Sequence, residues 1–335
     1  MKIIHTVDSH TAGEGTRLVL SGLPPLLGSS MEEKFVEARQ RFPWLPKLLL
    51  REPRGHKDLY GALLTSPCTP QADQGVLFMN NSGYEPMCGH GLIGVVTCLL
   101  EMGIFPVREP ETRLVLDTPA GVIAAYAKTV AGRALSVAFD NVPSFGVHLD
   151  ALLRLPEGYP LVVDIAFGGN YFVLLDAGQL GIELLPANAG RLADWGMRIL
   201  EAANQQFEVR HPEIPHIDRI TDVRFIAAPD SNRLNSRNVV VLGHQMVDRS
   251  PCGTGTCAEL AVRFARGQAL PGQLFTSQGI LGTQFTAQIV EQVQFTSGKV
   301  PYPAIRPRLE GQAYLTGFHQ FILHDDDPFP EGFLL

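Results

Sequence analysis

Hydrophobic positions along this chain alternate with polar ones more often than they follow a helical period, which predicts many strands and few helices. Helical spacing with suitable end residues predicts helices only at residues 31–42, 89–102, 188–207 and 253–266. The fold class is therefore predicted to be mixed α/β with strands in the majority. The predicted strands lie at residues 2–7, 17–20, 75–79, 113–116, 122–126, 135–139, 161–167, 171–175, 222–226, 238–242, 285–293 and 312–323.

Two of the predicted helices, 89–102 and 253–266, are apolar on nearly every face, and such a helix is buried on all sides. With many strands in each half of the chain, we expect two similar α/β domains, each a curved mixed sheet wrapped around one central helix. Turn residues at 117–121 and near 298–303 predict the boundaries. The first domain would comprise residues 1–120 and 303–335, the second residues 121–302.

The starts of these two helices repeat one short motif. The segments CGHG at 88–91 and CGTG at 252–255 open the helices, and Gly103 and Gly267 close them at the same spacing. The repeat indicates a duplication with one cysteine in each half. Unpaired backbone N–H groups and the positive end of the helix dipole predict that the pKa of each thiol is lowered.

Two such thiols suit proton transfer at a carbon acid, because one can abstract a proton while the other delivers one to the opposite face. An ordinary thiol pKa of about 8.5 can be tuned to this task. Cys88 and Cys252 are therefore the candidate catalytic residues, and His90 and Asp248 can contact a substrate amine or tune the thiols. A substrate carboxylate is expected at the helix starts, in an active site between the domains. Its donors would be the backbone N–H groups of Gly89, His90, Gly253 and Thr254.

Composition restricts the class of partner. The 335 residues exceed one ordinary core, and 45% hydrophobic with 18% charged residues is typical of a globular chain. A formal charge of −7 without a basic run argues against nucleic acid or an anionic membrane, so a small molecule is expected. No apolar run resembles a signal peptide or a membrane span, which predicts a cytoplasmic location with reduced thiols. The glycines at 89–94 do not directly follow a strand and no zinc-type spacing occurs, so neither a dinucleotide nor a metal is predicted.

Seven motifs occur in order along nearly the whole chain: DSHTAGE at 8–14, PRGH at 53–56, MCGHG at 87–91, DTPAG at 117–121, DIAFGGN at 164–170, DRSPCGTG at 248–255 and DPFPEGF at 327–333. Together they resemble the proline racemase family, which includes 4-hydroxyproline 2-epimerases and trans-3-hydroxy-L-proline dehydratases. The resemblance implies a racemase or epimerase that uses two cysteines and no cofactor. It also implies two similar α/β domains and a homodimer.

The resemblance also assigns roles to single residues. It implies that Cys88 and Cys252 are catalytic, and that His90 and Asp248 contact the substrate amine. The implied carboxylate-binding amides are those of Gly89, His90, Gly253 and Thr254. Family dehydratases that act on trans-3-hydroxy-L-proline typically carry threonine at the position of Cys252, so two thiols favour inversion over elimination.

The family resemblance places Tyr60, Glu85 and Leu242 near the substrate ring. A carboxylate at Glu85 can accept a hydrogen bond from a ring hydroxyl, whereas a plain proline ring leaves a buried charge uncompensated. The alternative is that Glu85 faces solvent. We expect a 4-hydroxyproline 2-epimerase, with proline racemase and 3-hydroxyproline epimerase or dehydratase as alternatives. From other classes, a non-catalytic imino-acid-binding protein and a thiol redox protein remain open.

Overall fold

The computed structural model describes residues 1–156, 158, 160–214, 217–227, 234–297 and 300–334, and the chain divides into two compact units. The first unit comprises Met1–Phe139 and Gly311–Leu335, and the second unit comprises Asp140–Glu310. Within the described residues, no helix is long and apolar enough to cross a membrane. The helices are α1 (Met31–Arg41), α2 (Trp44–Leu50), α3 (Gly89–Glu101), α4 (Ala189–Gln206) and α5 (Gly253–Ala265).

Strands dominate both units. The strands with most of their length in the first unit are β1 (Lys2–Thr11), β2 (Glu14–Ser21), β3 (Tyr60–Thr65), β4 (Gln74–Asn80), β5 (Gly83–Glu85), β6 (Glu111–Thr118), β7 (Gly121–Val130), β8 (Arg133–Asp140) and β18 (Ala313–Leu323). Those of the second unit are β9 (Ser144–Arg154), β10 (Pro160–Phe167), β11 (Tyr171–Asp176), β12 (Ile220–Ile226), β13 (Asn235–Leu242), β14 (Met246–Val247), β15 (Phe275–Gln278), β16 (Gln284–Ser297) and β17 (Val300–Gly311).

The first unit wraps one mixed sheet around α3. Neighbouring strands run in the order β18, β1, β2, β3, β4, β6, β7 and β8, with parallel pairing at β2–β3 and β4–β6. Helix α3 packs against β1, β2, β3, β7 and β18, and each of its residues from Gly89 to Leu100 is buried. The predicted central helix is therefore confirmed in this unit. Helix α2 packs elsewhere, against β3, β4 and β5.

The second unit closes its sheet into a ring around α5. The strand order is β9, β10, β11, β12, β13, β15, β16 and β17, and β17 pairs back to β9 through Ala304 opposite Phe145 and Ile305 opposite Ser144. Every α5 residue from Gly253 to Arg263 is buried. On β12, Val223 and Phe225 pack in the core cluster with α4. Because side chains alternate along a strand, Arg224 between them points to the α5 side.

The two ends of the second unit lie side by side. The guanidinium of Arg308 binds the carboxylate of Asp140 at 2.5 and 2.9 Å, and the Asn141 N–H donates to the Pro307 carbonyl at 2.8 Å. The beginning and the end of the second unit are therefore in contact with each other.

The four helices predicted from the sequence are confirmed, and α3 and α5 end as their closing glycines predict. Gly103 and Gly267 have φ angles of 69° and 67°, and their N–H groups donate to the carbonyls of Leu100 and Phe264 at 3.0 and 2.9 Å. Glycine adopts this left-handed conformation without a Cβ clash, so the chain can turn away after the same number of residues in both copies.

The compact units end later in the chain than the boundaries predicted at 120/121 and 302/303. The turn at 117–121 joins β6 to β7 as a hairpin, with Thr118 opposite Gly121, because β7 and β8 continue the same antiparallel sheet. Near the other boundary, Gly298 and Lys299 lie outside the described residues. The domain boundaries at 120/121 and 302/303 stay a prediction, because a compact unit is not the same as an independently folding domain.

Helix α2 and six strands were not predicted, namely β3, β5, β9, β14, β15 and β17. Helix α2 has seven residues, too few to show a period, and Pro46 is tolerated because it lies in the first turn. Strand β17 contains three prolines, which normally argue against a strand. It is nevertheless paired along β16, with Pro303 opposite Gln294 and Pro307 opposite Ile289.

Candidate active site

Cys88 is the N-cap residue of α3 and lies on an extended backbone with φ −146° and ψ 113°. Its carbonyl accepts the first helical hydrogen bond, from Leu92 N at 2.9 Å, and the residue is buried. A Cβ at position 91 would come within 3.0 Å of the Cys88 sulfur, so Gly91 leaves room for the thiol against the first turn. The N–H groups of Gly89 and His90 belong to that turn, where no helical carbonyl precedes them.

The imidazole of His90 lies beside the Cys88 sulfur, with Nδ1 at 3.5 Å and Nε2 at 3.7 Å. The imidazole and the Tyr60 ring are perpendicular, with an interplanar angle of 89° and a centroid distance of 4.6 Å. The Thr11 hydroxyl donates to the His90 carbonyl at 2.8 Å. Burial lowers the pKa of His90 to about 3. The imidazole is therefore neutral at ordinary pH, and it can donate or accept a proton in a hydrogen bond without adding a charge. We call Cys88, His90 and Tyr60 the first half-site.

Cys252 precedes α5 in a different backbone conformation, with φ 61° and ψ 110°. Neighbouring groups hold it there: its N–H donates to the Ser250 hydroxyl at 3.1 Å, and its carbonyl accepts from the Thr256 hydroxyl at 2.6 Å. The Gly255 N–H donates to the sulfur at 3.4 Å, and the Thr254 hydroxyl lies 3.7 Å from it. A first-turn amide thus reaches this thiol directly.

Asp248 lies buried next to Cys252. Its carboxylate accepts from the Ser250 N–H at 2.8 Å and from the thiol of Cys252. Burial raises the pKa of Asp248 to about 6, and that of the neighbouring Asp222 to about 7. We call Cys252, Thr254 and Asp248 the second half-site.

For Cys252, the expected lowering of the thiol pKa is wrong. Burial raises the pKa of Cys252 well above its usual value, and the charge of Asp248 raises it further. The Gly255 N–H at the helix start acts in the predicted direction but is outweighed. A helix terminus favours a thiolate only modestly, whereas desolvation and a neighbouring carboxylate both favour the neutral thiol.

Asparagine in place of Asp248 is expected to lower the pKa of the Cys252 thiol, because the substitution removes the nearest negative charge. At pH 8 a larger thiolate fraction should then react faster with iodoacetamide, measured against pH by mass spectrometry of the peptide that carries Cys252. As a matched control, Asp222→Asn removes a carboxylate that raises the same pKa less, so a smaller shift of the same sign is expected. An unchanged or raised pKa in Asp248→Asn would contradict this electrostatic account.

A buried cluster of charged side chains near Cys252 was not predicted from the sequence. Arg224, on β12, binds Glu259 of α5 at 2.8 Å, and Glu259 also binds Arg263 at 2.7 Å. Burial raises the pKa of Glu259, but the two guanidinium groups outweigh it and hold that pKa below its usual value. Helix α5 is therefore less apolar than predicted. The signal was a glutamate inside a helix predicted to be buried on all sides, since such a charge requires a partner.

The remaining predicted residues divide between the units. Tyr60 is buried against His90, which brings it to the first half-site. Glu85 lies on β5, half-buried, and its carboxylate accepts a hydrogen bond from the Asn80 amide. Leu242 ends β13 in the second unit, buried and opposite Asp222 in the strand register. Within the described residues, no group of three or more His, Cys, Asp or Glu is arranged to hold a metal ion.

Comparison with known proteins gives one consistent result. The family model described as proline racemase matches residues 6–334. A proline racemase from Clostridioides difficile is 41% identical over 99% of this chain and 98% of that protein. A 4-hydroxyproline 2-epimerase from Streptosporangium roseum is 40% identical over 100% of this chain and 99% of that protein. The crystal structure of a hydroxyproline epimerase from Agrobacterium vitis, with bound trans-4-OH-L-proline, has a TM-score of 0.90 and 33% identity, covering 99% of this chain and 96% of that one.

Proposed function

This chain belongs to the proline racemase family, and we propose that it inverts C2 of 4-hydroxyproline with two cysteines acting as opposed acid and base. It is an isomerase of that family, with a small-molecule substrate. The observation that carries the proposal is the repeated placement of a buried thiol at the start of a buried helix, Cys88 on α3 and Cys252 on α5. Each thiol has a different polar neighbour, His90 or Asp248.

In the proposed reaction, the thiolate of one cysteine takes the proton from C2 of the substrate. The electron pair of the broken C–H bond passes into the carboxylate group. The thiol of the other cysteine then gives its proton to C2 from the opposite face, so thiol and thiolate have exchanged places and the configuration is inverted. No group is oxidised or reduced in these two proton transfers, and the proposed mechanism uses no cofactor.

The polar groups of both half-sites have matching roles in this proposal. The first-turn N–H groups stabilise the charge that gathers on the substrate carboxylate when the proton leaves. These groups belong to Gly89, His90, Gly253 and Thr254. The carboxylate of Asp248 and the neutral ring of His90 receive the substrate ammonium. With a pKa of about 6, Asp248 carries most of its negative charge at neutral pH, as an ammonium partner must.

The choice of 4-hydroxyproline rests on Glu85. The side chain is half-buried, and one of its oxygens accepts a hydrogen bond from the Asn80 amide. A carboxylate is an acceptor only, so its match among substrate groups is a donor. A ring hydroxyl is a donor that suits this carboxylate, whereas an unsubstituted ring is not. Tyr60 and Leu242 supply the apolar surface for the rest of the ring in this proposal.

Glutamine in place of Glu85 is expected to lower kcat/KM for 4-hydroxyproline by about tenfold, because a charge-assisted hydrogen bond becomes a weaker one to a neutral amide. The value for L-proline should change much less, since proline has no ring hydroxyl. The measurement is the ratio of the two kcat/KM values in the parent and in Glu85→Gln. Equal losses for both substrates would remove Glu85 from substrate selection.

The activity itself is tested by incubating the protein in deuterium oxide with trans-4-hydroxy-L-proline, L-proline and trans-3-hydroxy-L-proline separately, followed by NMR. We expect the first to give its C2 epimer with one deuterium at C2, at the highest kcat/KM of the three. Faster inversion of L-proline would make the protein a proline racemase, and loss of water from the 3-hydroxy substrate would make it a dehydratase. Binding without deuterium uptake would favour a non-catalytic binding protein. The cytoplasmic location and the homodimer stay predictions.

A further inference from the structure

The charge cluster behind Cys252 has no part in the proton transfers described above, yet it contacts the segment that carries the thiol. We propose that Arg224 is a positioning residue that holds Cys252 in its reactive conformation by binding the carbonyl of Pro251. Its effect on turnover rests on the proposed function. Its effect on the thiol requires no substrate and can be measured alone.

Arg224 is fully buried, and its guanidinium binds partners on four separate segments of the second unit. A planar guanidinium with fixed donor directions determines where each partner lies, which a lysine ammonium does not do. Arg224 therefore ties α5, β13, β15 and the turn before Cys252 to one another. The contacts are Nε to Glu259 Oε2 at 2.9 Å, Nη1 to Asn238 Oδ1 at 2.9 Å, Nη1 to the Pro251 carbonyl at 3.0 Å, and Nη2 to Ser277 Oγ at 3.0 Å.

The carbonyl of Pro251 immediately precedes the residue whose conformation needs support. Cys252 has a φ of 61°, and a residue with a Cβ in this left-handed region costs about 1–2 kcal/mol. Such a conformation persists only where surrounding contacts fix it. The Thr256 hydroxyl lies 3.2 Å from the Pro251 carbonyl, but its single proton has a shorter acceptor in the Cys252 carbonyl at 2.6 Å. The bond from Arg224 to the Pro251 carbonyl is charge-assisted.

The guanidinium and the sulfur approach the same point of α5. A Cβ at position 255 would lie 3.1 Å from Arg224 Nη1 and 3.1 Å from the Cys252 sulfur. Because Gly255 has no side chain, the Arg224 guanidinium and the Cys252 thiol can both lie against the first turn of α5. The charge of Arg224 lowers the pKa of Cys252, against the effects of burial and Asp248. Glu259 is shared between Arg224 and Arg263, so this three-residue cluster keeps one net positive charge.

Two substitutions separate the two effects of Arg224. Arg224→Lys keeps the charge but cannot bind all four segments at once, and Arg224→Gln loses the charge but can still donate a hydrogen bond. We expect kcat to fall about a hundredfold in Arg224→Lys, as for a misplaced reacting group, while the pKa of the Cys252 thiol stays near that of the parent. In Arg224→Gln that pKa should rise, seen as slower iodoacetamide alkylation of the Cys252 peptide at pH 8.

Arg263→Lys is the matched control, because Arg263 binds the other oxygen of Glu259, further along the helix from Cys252. It should cost thermal stability while changing kcat and the Cys252 alkylation profile much less than the Arg224 variants do. If an Arg224 variant does not fold, Ser277→Ala loosens both the guanidinium and the Thr256 hydroxyl, and a smaller fall in kcat is expected.

If kcat fell in every variant only in proportion to its loss of thermal stability, the positioning role of Arg224 would be overturned. An unchanged thiol titration in Arg224→Gln would overturn the charge effect. If no proline derivative were turned over, the proposed function would fail. The alkylation profiles would still test whether Arg224 controls the placement and the pKa of the Cys252 thiol.

Discussion

Serine in place of either Cys88 or Cys252 is expected to reduce inversion at C2 by about a thousandfold or more. A serine hydroxyl is far less acidic than a thiol, so it neither abstracts the proton nor delivers one at a useful rate. In the proposed mechanism, the remaining thiolate can still act on one face of the substrate. We therefore expect each variant to exchange the C2 proton for deuterium in only one of the two C2 epimers, with retention of configuration, measured by NMR together with chromatography that separates the epimers.

Cys68→Ser is the control, since this half-buried thiol lies near the Gly28 carbonyl, 3.8 Å away, and outside both half-sites. Its activity should equal that of the parent. Burial raises the pKa of both Cys98 and Cys257 to about 12, and neither thiol belongs to a half-site. A single-cysteine variant that retained full inversion would show that one thiol suffices and would end the two-base mechanism.

The second large effect concerns Gly168, where the turn after β10 touches α5. A Cβ at this position would lie 2.2 Å from the Thr254 carbonyl oxygen and 2.5 Å from Ala258 N, both of which are backbone atoms. Gly168→Ala must therefore push the helix away from the turn. We expect the free energy of unfolding to fall by about 3 kcal/mol, and activity to fall even below the melting temperature, because Thr254 belongs to the second half-site.

Gly190→Ala provides the comparison. Gly190 lies in the first turn of α4, and a Cβ there would have no atom within 4 Å. Alanine should change the free energy of unfolding by about +0.4 to +1 kcal/mol, a small gain from the reduced freedom of the unfolded chain. Urea titration of both variants checks the pair. Equal stability of Gly168→Ala and the parent would contradict the close approach of the turn to α5.

The repeated cysteine motif predicted much of this molecule because its consequences are local. A cysteine, two glycines and an apolar run determine where α3 and α5 begin, how they end and that they are buried. The mixed α/β class followed from alternation along single strands. Each of these inferences needs only residues that are close together in the sequence.

The support around Cys252 could not be predicted in the same way. Arg224 and Glu259 are distant in the chain, and only the register of β12 beside α5 makes them partners. The raised pKa of Cys252 has the same origin, because desolvation depends on packing from several strands. The turn at 117–121 was recognised correctly as a turn, but only the pairing of β6 with β7 shows that the sheet continues beyond it.

The contact of Asp140 with Arg308 brings the first and last parts of the second unit together. A segment whose first and last residues are neighbours can enter another chain between two adjacent residues without stretching either. The second unit is such a segment, placed just before β18 of the first unit. For the duplication that the repeated cysteine motif indicates, this geometry favours insertion of one copy into the other over an end-to-end fusion.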